Sequence, residues 1–168
     1  MQIIFMSEWK MVGTFFIVWP LLQLTMTLIC NLIPLRKFNA NVFFLKSHKW
    51  EQDGLLYKRI FKIHKWKHLL PDGAKVDKNG FEKKYLKTYE KGYLEEFILQ
   101  TGRAEISHWL QILPFWIFGF WCPPYVVWCM LFYALLVNMP CIMAQRYNRP
   151  RLIRVGKIIM QEQSKGSY

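Results

Sequence analysis

Two long stretches of the chain carry almost no charge, and a strongly basic stretch separates them. Residues 11–35 hold no charged side chain, and in residues 106–144 only His108 can take a charge near neutral pH. A bilayer core of about 30 Å needs about 20 helical residues to cross, so 11–35 predicts one spanning helix. The second stretch is too long for one span. It is interrupted by Gly119, Phe120, Trp121, Cys122, Pro123 and Pro124, a run that breaks helices. It therefore predicts two spans, about 104–120 and 125–144, joined by a tight uncharged turn. A nearly neutral flank, a long apolar run and the lack of a small-residue cleavage site mark 11–35 as a retained span rather than a signal peptide.

Between the spans the pattern changes. Over residues 50–70, Leu55, Leu56, Ile60, Phe61, Ile63 and Trp66 mix with Lys58, Arg59, Lys62, Lys65 and Lys67. That mixture predicts a basic amphipathic helix lying in the headgroup plane with its apolar face down. A helix packed on a core of its own fits less well, because little else in the loop offers apolar partners. Pro71, Asp72 and Gly73 supply turn chemistry, and a linker follows to about residue 87. A second helix starts near residue 89, with Leu94, Phe97 and Ile98 at helical spacing, and continues through Arg103 into the second span. The predicted fold is an all-α integral membrane protein. It has three transmembrane helices plus interfacial amphipathic helices, arranged as one membrane domain over 1–168 with a basic loop at 36–103 and a tail at 145–168.

Charge sets the orientation. The net charge is +12 although 53% of residues are hydrophobic and 17% aromatic, a combination reached by segregating the two kinds of residue. Residues 36–102 hold 15 Lys/Arg against 8 Asp/Glu, and residues 145–168 hold six against one. Short basic loops stay on the cytoplasmic side. The N-terminus is therefore expected outside, and the loop and C-terminal tail in the cytoplasm of a multi-pass cell-membrane protein. The basic charges interleave with aliphatic residues beside spans, which points to anionic headgroups or an acidic partner rather than nucleic acid.

Polar side chains inside a span are costly and need a reason. The second span opens with Arg103, Ala104, Glu105, Ile106, Ser107, His108 and Trp109. Glu105 and His108 are three apart, so the carboxylate lies one turn from the imidazole. That pairing suits a general base that deprotonates a hydroxyl, and it equally suits a structural pair that pins the hairpin. A second cluster comprises Asn138, Gln145, Arg146, Asn148 and Arg149, near Pro140, which leaves the Leu136 carbonyl without its helical donor. Together with Arg103 these are the candidate substrate-binding residues. His68 and Asp72 lie one residue short of a His-x-x-x-x-Asp acyltransferase signature, so His68 is given no catalytic role. Cys30, Cys122, Cys129 and Cys141 lack metal-ligand or redox spacing. No metal site is expected, and no phosphate loop, dinucleotide fingerprint or nucleophile elbow is present.

Taken together, several stretches resemble one known family. They are Lys65, Trp66, Lys67 and His68 with Pro71, Asp72 and Gly73; then Arg103, Ala104, Glu105, His108, Trp109, Ile112, Leu113 and Pro114. Asn138, Pro140 and the run Gln145, Arg146, Tyr147, Asn148, Arg149, Pro150, Arg151 and Leu152 complete the set. In order and separation they are similar to the glycosyl-4,4'-diaponeurosporenoate acyltransferase family of staphyloxanthin-type carotenoid biosynthesis. The resemblance implies transfer of a fatty acyl group from acyl-CoA or an acyl carrier protein to a sugar hydroxyl of a glycosylated carotenoid or similar lipid. His108, oriented by Glu105, is then the expected base, and Arg146 or Asn138 the expected oxyanion donor. The partners implied are the lipid acceptor and the acyl donor, with a homo-oligomer plausible for so few spans. Two other classes stay open: a non-enzymatic scaffold of a membrane biosynthetic complex, and another small lipid-modifying enzyme such as a methyltransferase. The acceptor, the donor carrier and the chain length are not legible in the residues.

Overall fold

The structure is a computed structural model that describes residues 3–39, 42, 44–70, 88 and 90–165, with side chains to residue 162. Every regular element among them is helical. In chain order these are α1 (Glu8–Leu32), 3-10 turns at Leu35–Phe38 and Lys49–Gly54, α2 (Leu55–Arg59), α3 (Ile63–Trp66) and a 3-10 turn at Lys67–Leu69. Then come α4 (Lys91–Ile112), a 3-10 helix at Leu113–Phe120, and α5 (Pro124–Lys165). The all-α expectation holds. The chain, treated above as one domain, forms two compact units: Met1–Ile33 with Ile106–Pro140, and Pro34–Glu105 with Cys141–Tyr168.

In the first unit, α1 fully buries only Trp19 and Cys30, so much of its apolar surface faces outward. Its hydroxyls are satisfied locally, as an apolar environment demands. Thr14 donates to the Met11 carbonyl, Thr25 to Leu21 and Thr27 to Gln23. Two of these hydroxyls also accept bonds from outside the helix, Thr27 from Gln111 Nε2 at 2.8 Å and Thr14 from Trp121 Nε1 at 2.9 Å. Phe118 is the centre of the packing. It is fully buried and its ring lies 5.4–5.7 Å from those of Phe15, Trp19 and Trp121. The amides of Ile3 and Ile4 both donate to the Phe120 carbonyl.

Two helices, α1 and α5, are long and apolar enough to cross a membrane, which suggests a membrane protein. The middle predicted span, 104–120, is not one continuous α-helix. The α-helix ends at Ile112 and the chain continues as a 3-10 helix. Pro114, near its start, has no N–H to offer the Leu110 carbonyl, so the α-helical ladder cannot pass it.

In the second unit the expectation of one amphipathic helix over 50–70 does not hold. Gln52, Asp53, Gly54 and Lys62 all have positive φ, which breaks the segment into short helical pieces. The apolar residues therefore do not share one stripe. Leu55, Ile60, Phe61 and Leu69 are exposed, whereas Tyr57 and Ile63 turn inward onto Ala144 and Tyr147 of α5, flanked by Leu56, Trp66, Leu70 and Met143. The missing core is supplied by the end of the predicted third span and the start of the segment expected to be a tail, which is helical to residue 165. The predicted turn at 71–73 and the linker to 87 lie outside the described residues.

Glycine is required at two approaches in this unit. A Cβ on Gly102 of α4 would stand 2.6 Å from the Phe38 carbonyl oxygen. Gly54 has a φ of +87°, and its Cβ would meet the Tyr147 carbonyl at 3.1 Å. The Leu35–Phe38 turn therefore lies directly on α4, and the Lys49–Gly54 turn on α5.

Candidate active site

Polar chemistry is concentrated in one cluster within each unit. In the first, His108 is half-buried and Asn138 fully buried. His108 Nδ1 lies 2.9 Å from Asn138 Oδ1, while Asn138 Nδ2 donates to the Ala134 carbonyl at 2.9 Å. The second contact fixes the orientation of the amide. Turned the other way, Oδ1 would oppose the Ala134 oxygen, acceptor against acceptor. With Oδ1 toward the ring, the neutral imidazole must carry its proton on Nδ1. Its basic lone pair is then on Nε2. A histidine held in one tautomer by a fixed acceptor has the arrangement a general base needs.

The second cluster is a buried ion network. Glu105, expected to orient His108, directs both carboxylate oxygens elsewhere: Oε1 accepts from Arg146 Nε at 2.7 Å and Oε2 from Arg149 Nη2 at 2.6 Å. Arg146 also donates to Glu51 Oε1 at 2.8 Å and to the Phe44 carbonyl at 2.6 Å. Arg149 donates to Thr101 Oγ1, to the Thr101 carbonyl and to the Leu45 carbonyl. Every nitrogen of each guanidinium is engaged. Glu51 takes two further bonds, from Tyr57 Oη at 2.5 Å and from the His48 amide at 2.7 Å.

This environment shifts the groups in a consistent direction. Burial raises the Glu51 carboxyl, but the hydrogen bonds from Tyr57, Arg146 and the His48 amide outweigh it and hold the group below its ordinary value. Burial, reinforced by the Glu51 carboxylate, pushes the Tyr57 phenol up. Burial lowers Arg146, yet its bonds to Glu51 and Glu105 leave it raised. For Arg149 burial prevails and the group is lowered. The directions at Glu51 and Arg146 both favour the charged form, as expected of an ion pair.

Two of the motifs noted in the sequence also meet here. Lys67 Nζ donates to Asn148 Oδ1 at 2.7 Å and sits 5.2 Å from the centre of the Tyr147 ring, with Arg151 Cζ 4.9 Å from the same ring. Burial, with Arg151 nearby, lowers the Lys67 ammonium. Of the remaining candidates, Arg103 donates to Gln100 Oε1 within α4, and the buried Oε1 of Gln145 has no partner among the described residues. Among those residues no group of three or more His, Cys, Asp or Glu is placed to hold a metal ion.

The sequence model of one family, described as glycosyl-4,4'-diaponeurosporenoate acyltransferase, matches residues 40–157, a range that takes in both clusters. The chain belongs to this family. A glycosyl-4,4'-diaponeurosporenoate acyltransferase of Staphylococcus aureus strain Newman is 35% identical over 144 residues, covering 86% of this chain and 87% of that protein. The protein of the same name from strain MRSA252 is 36% identical over 141 residues, covering 84% and 85%. No solved structure matches the chain. The protein is accordingly an acyltransferase, and the resemblance drawn from its motifs is correct.

Three residues of this acyltransferase's network escaped the sequence reading: Glu51, Tyr57 and Thr101. Glu51 left a faint signal as a carboxylate close behind Lys46, His48 and Lys49. The carbonyls of Phe44 and Leu45 leave none, because a backbone oxygen has no residue-type signature.

Proposed function

We propose that this acyltransferase works from the membrane, moving a fatty acyl group from an acyl thioester to a sugar hydroxyl of a glycosylated carotenoid, with His108 as general base. The observation that carries the reading is the Nδ1–Oδ1 pair of His108 and Asn138, because it leaves Nε2 as the basic nitrogen. Nε2 accepts the hydroxyl proton as the sugar oxygen bonds to the thioester carbon. The tetrahedral intermediate then collapses with cleavage of the C–S bond. The departing thiolate, a far better leaving group than an alkoxide, takes the proton back from the imidazolium. Asn138 acts here as a positioning residue. The relatives' names supply the acceptor class.

Glu105, Arg146 and Arg149 take a different role from the one first expected of them. Their bonds to one another hold α4, α5 and the 44–57 segment in register, so they are read as anchors of the fold. Arg103, Gln145 and Asn148 stay candidates for contact with the acceptor sugar.

Three spans remain the favoured membrane arrangement, with the N-terminus outside and the basic segments cytoplasmic. The 3-10 helix supports the middle crossing. At about 2.0 Å per residue its eight residues, added to seven α-helical ones from 106, cover about 26 Å, close to a bilayer core of about 30 Å.

The deciding experiment supplies the purified protein with a glycosylated carotenoid and acyl-CoA and follows product by mass spectrometry. The wild-type protein should yield a carotenoid heavier by one acyl group and His108→Gln should not, at equal protein level and membrane insertion. Undiminished product from His108→Gln would reject the base.

A further inference from the structure

Within the second unit a cleft of ≈ 320 Å³ opens beside the buried network, lined in part by Lys46, Ser47, Asp53, Arg154 and Lys157. Counting Arg146 and Arg149, five cations line it against the two carboxylates Glu51 and Asp53, an excess of three positive charges. The two kinds of cation differ in how they are held. Arg146 and Arg149 are buried or nearly so and their guanidinium nitrogens are engaged as described. Lys46 and Lys157 are exposed and have no partner among the described residues. Arg154 is exposed and held only loosely, 3.7 Å from Asp53.

The cations on α5 recur at positions 146, 149, 154 and 157, three to five residues apart, so they form a ridge along one side of the helix. Lys46 faces them from the 44–48 segment as part of the same lining. Ser47, also in the wall, has a buried hydroxyl with no partner among the described residues. An unpaired buried hydroxyl is unfavourable until an acceptor reaches it.

Resting on the acyltransferase reading above, we infer that this cleft binds the phosphate groups of the acyl donor, a coenzyme A thioester. The occupant must be an anion, because Lys46 and Lys157 at the mouth have no counter-charge among the described residues and Arg154 has only the loosely held Asp53. It must be oxygen-rich to satisfy lysine, arginine and serine donors together, and phosphate esters meet both conditions. The cleft thereby narrows the donor-binding role of the basic loop and tail to three named cations, Lys46, Arg154 and Lys157.

The test uses the full chain purified in a non-ionic detergent, with coenzyme A itself as the probe, by isothermal titration calorimetry. Coenzyme A should bind, adenosine 3',5'-bisphosphate should displace it, and pantetheine, which lacks phosphate, should not. The double change Arg154→Glu with Lys157→Glu should weaken binding by about tenfold or more and raise the KM for acyl-CoA. Lys46→Glu, on a separate chain segment, should act in the same direction, so a folding defect in either variant does not leave the question open. Equal affinity in the folded charge-reversed proteins, displacement by pantetheine, or no binding by the wild type would each overturn the inference. So would loss of adhesion to phosphatidylglycerol vesicles with coenzyme A binding intact, which would make the cleft a lipid-headgroup site. His108→Gln separates this inference from the proposed chemistry. It should still bind coenzyme A, and if it also made product, the base would fall while the cleft stood.

Discussion

Asn138 faces His108 with its amide oxygen, 2.9 Å from Nδ1, and that contact fixes which ring nitrogen can accept a proton. Replacing Asn138 with leucine removes the acceptor and frees the imidazole to change tautomer. On the proposed chemistry kcat should fall by about 10² or more, the lower range of general-base contributions, while the fold survives. Asn138→Asp keeps an oxygen facing Nδ1 and should retain far more activity than the leucine variant. Turnover of the two variants under donor saturation checks this, and equal loss in both would remove Asn138 as the positioning residue.

Glu105 should behave in the opposite way. Its carboxylate is fully buried and neutralises parts of two arginines, so Glu105→Ala strands buried positive charge. Breaking such a pair costs about 3–5 kcal/mol. The expected result is a large fall in melting temperature and in membrane-inserted protein, with any surviving molecules retaining donor binding. Thermal unfolding by circular dichroism checks it. A normal melting temperature with lost activity would return Glu105 to the chemistry.

How much of this could be read from residues alone depends on the distance over which the information acts. The helical start near residue 89, observed at Lys91, and the break at Gly119–Pro124 follow from local rules. So did the choice of Asn138, Arg146 and Arg149 as residues that matter, because polar groups beside apolar runs are conspicuous. Their partners were not legible. A spacing of three made Glu105 and His108 an obvious pair, yet Glu105 binds arginines 41 and 44 residues away and His108 binds an asparagine 30 away. Local periodicity does not report such pairings. The 50–70 segment failed for a related reason: its pattern suits a helix, but positive φ at 52–54 and 62 breaks it, and at Gly54 the backbone lies directly against the Tyr147 carbonyl of α5.

Close packing gives a graded series at three glycines. Gly102→Ala would place a methyl group 2.6 Å from a backbone oxygen and should cost about 1–3 kcal/mol, as overpacking does. Gly54→Ala meets both a left-handed backbone and the Tyr147 carbonyl and should also destabilise, by about 1–2 kcal/mol. Gly92→Ala, on α4 with nothing within 4 Å, should instead stabilise by about 0.5–1 kcal/mol. Melting temperatures of the three variants check the order.

The Glu51–Tyr57 bond should bound stability at both ends of the pH scale. Glu51 is held below its ordinary value of 4.5, so its contribution is complete above pH 4.5 and disappears as pH falls through the depressed folded value. Tyr57 is raised above its ordinary 10.0. Its contribution is complete below pH 10 and is lost as pH climbs through the higher folded value. A plateau of melting temperature between these limits is expected. Tyr57→Phe should remove its part of the alkaline decline and weaken the acid shoulder, which a pH series of unfolding curves would show.

The guanidinium of Arg146 reaches Glu105, Glu51 and the Phe44 carbonyl from three separate nitrogens. A lysine presents its donors from a single point and cannot span those acceptors. Among diverging descendants, arginine at this position together with glutamates at 51 and 105 would report only that the scaffold has been inherited. Histidine at 108 with asparagine at 138 would report whether the chemistry was kept. On the proposed chemistry, a chain that retains the first set and has lost the second would be a pseudoenzyme, folded as its ancestors were and inert as a catalyst.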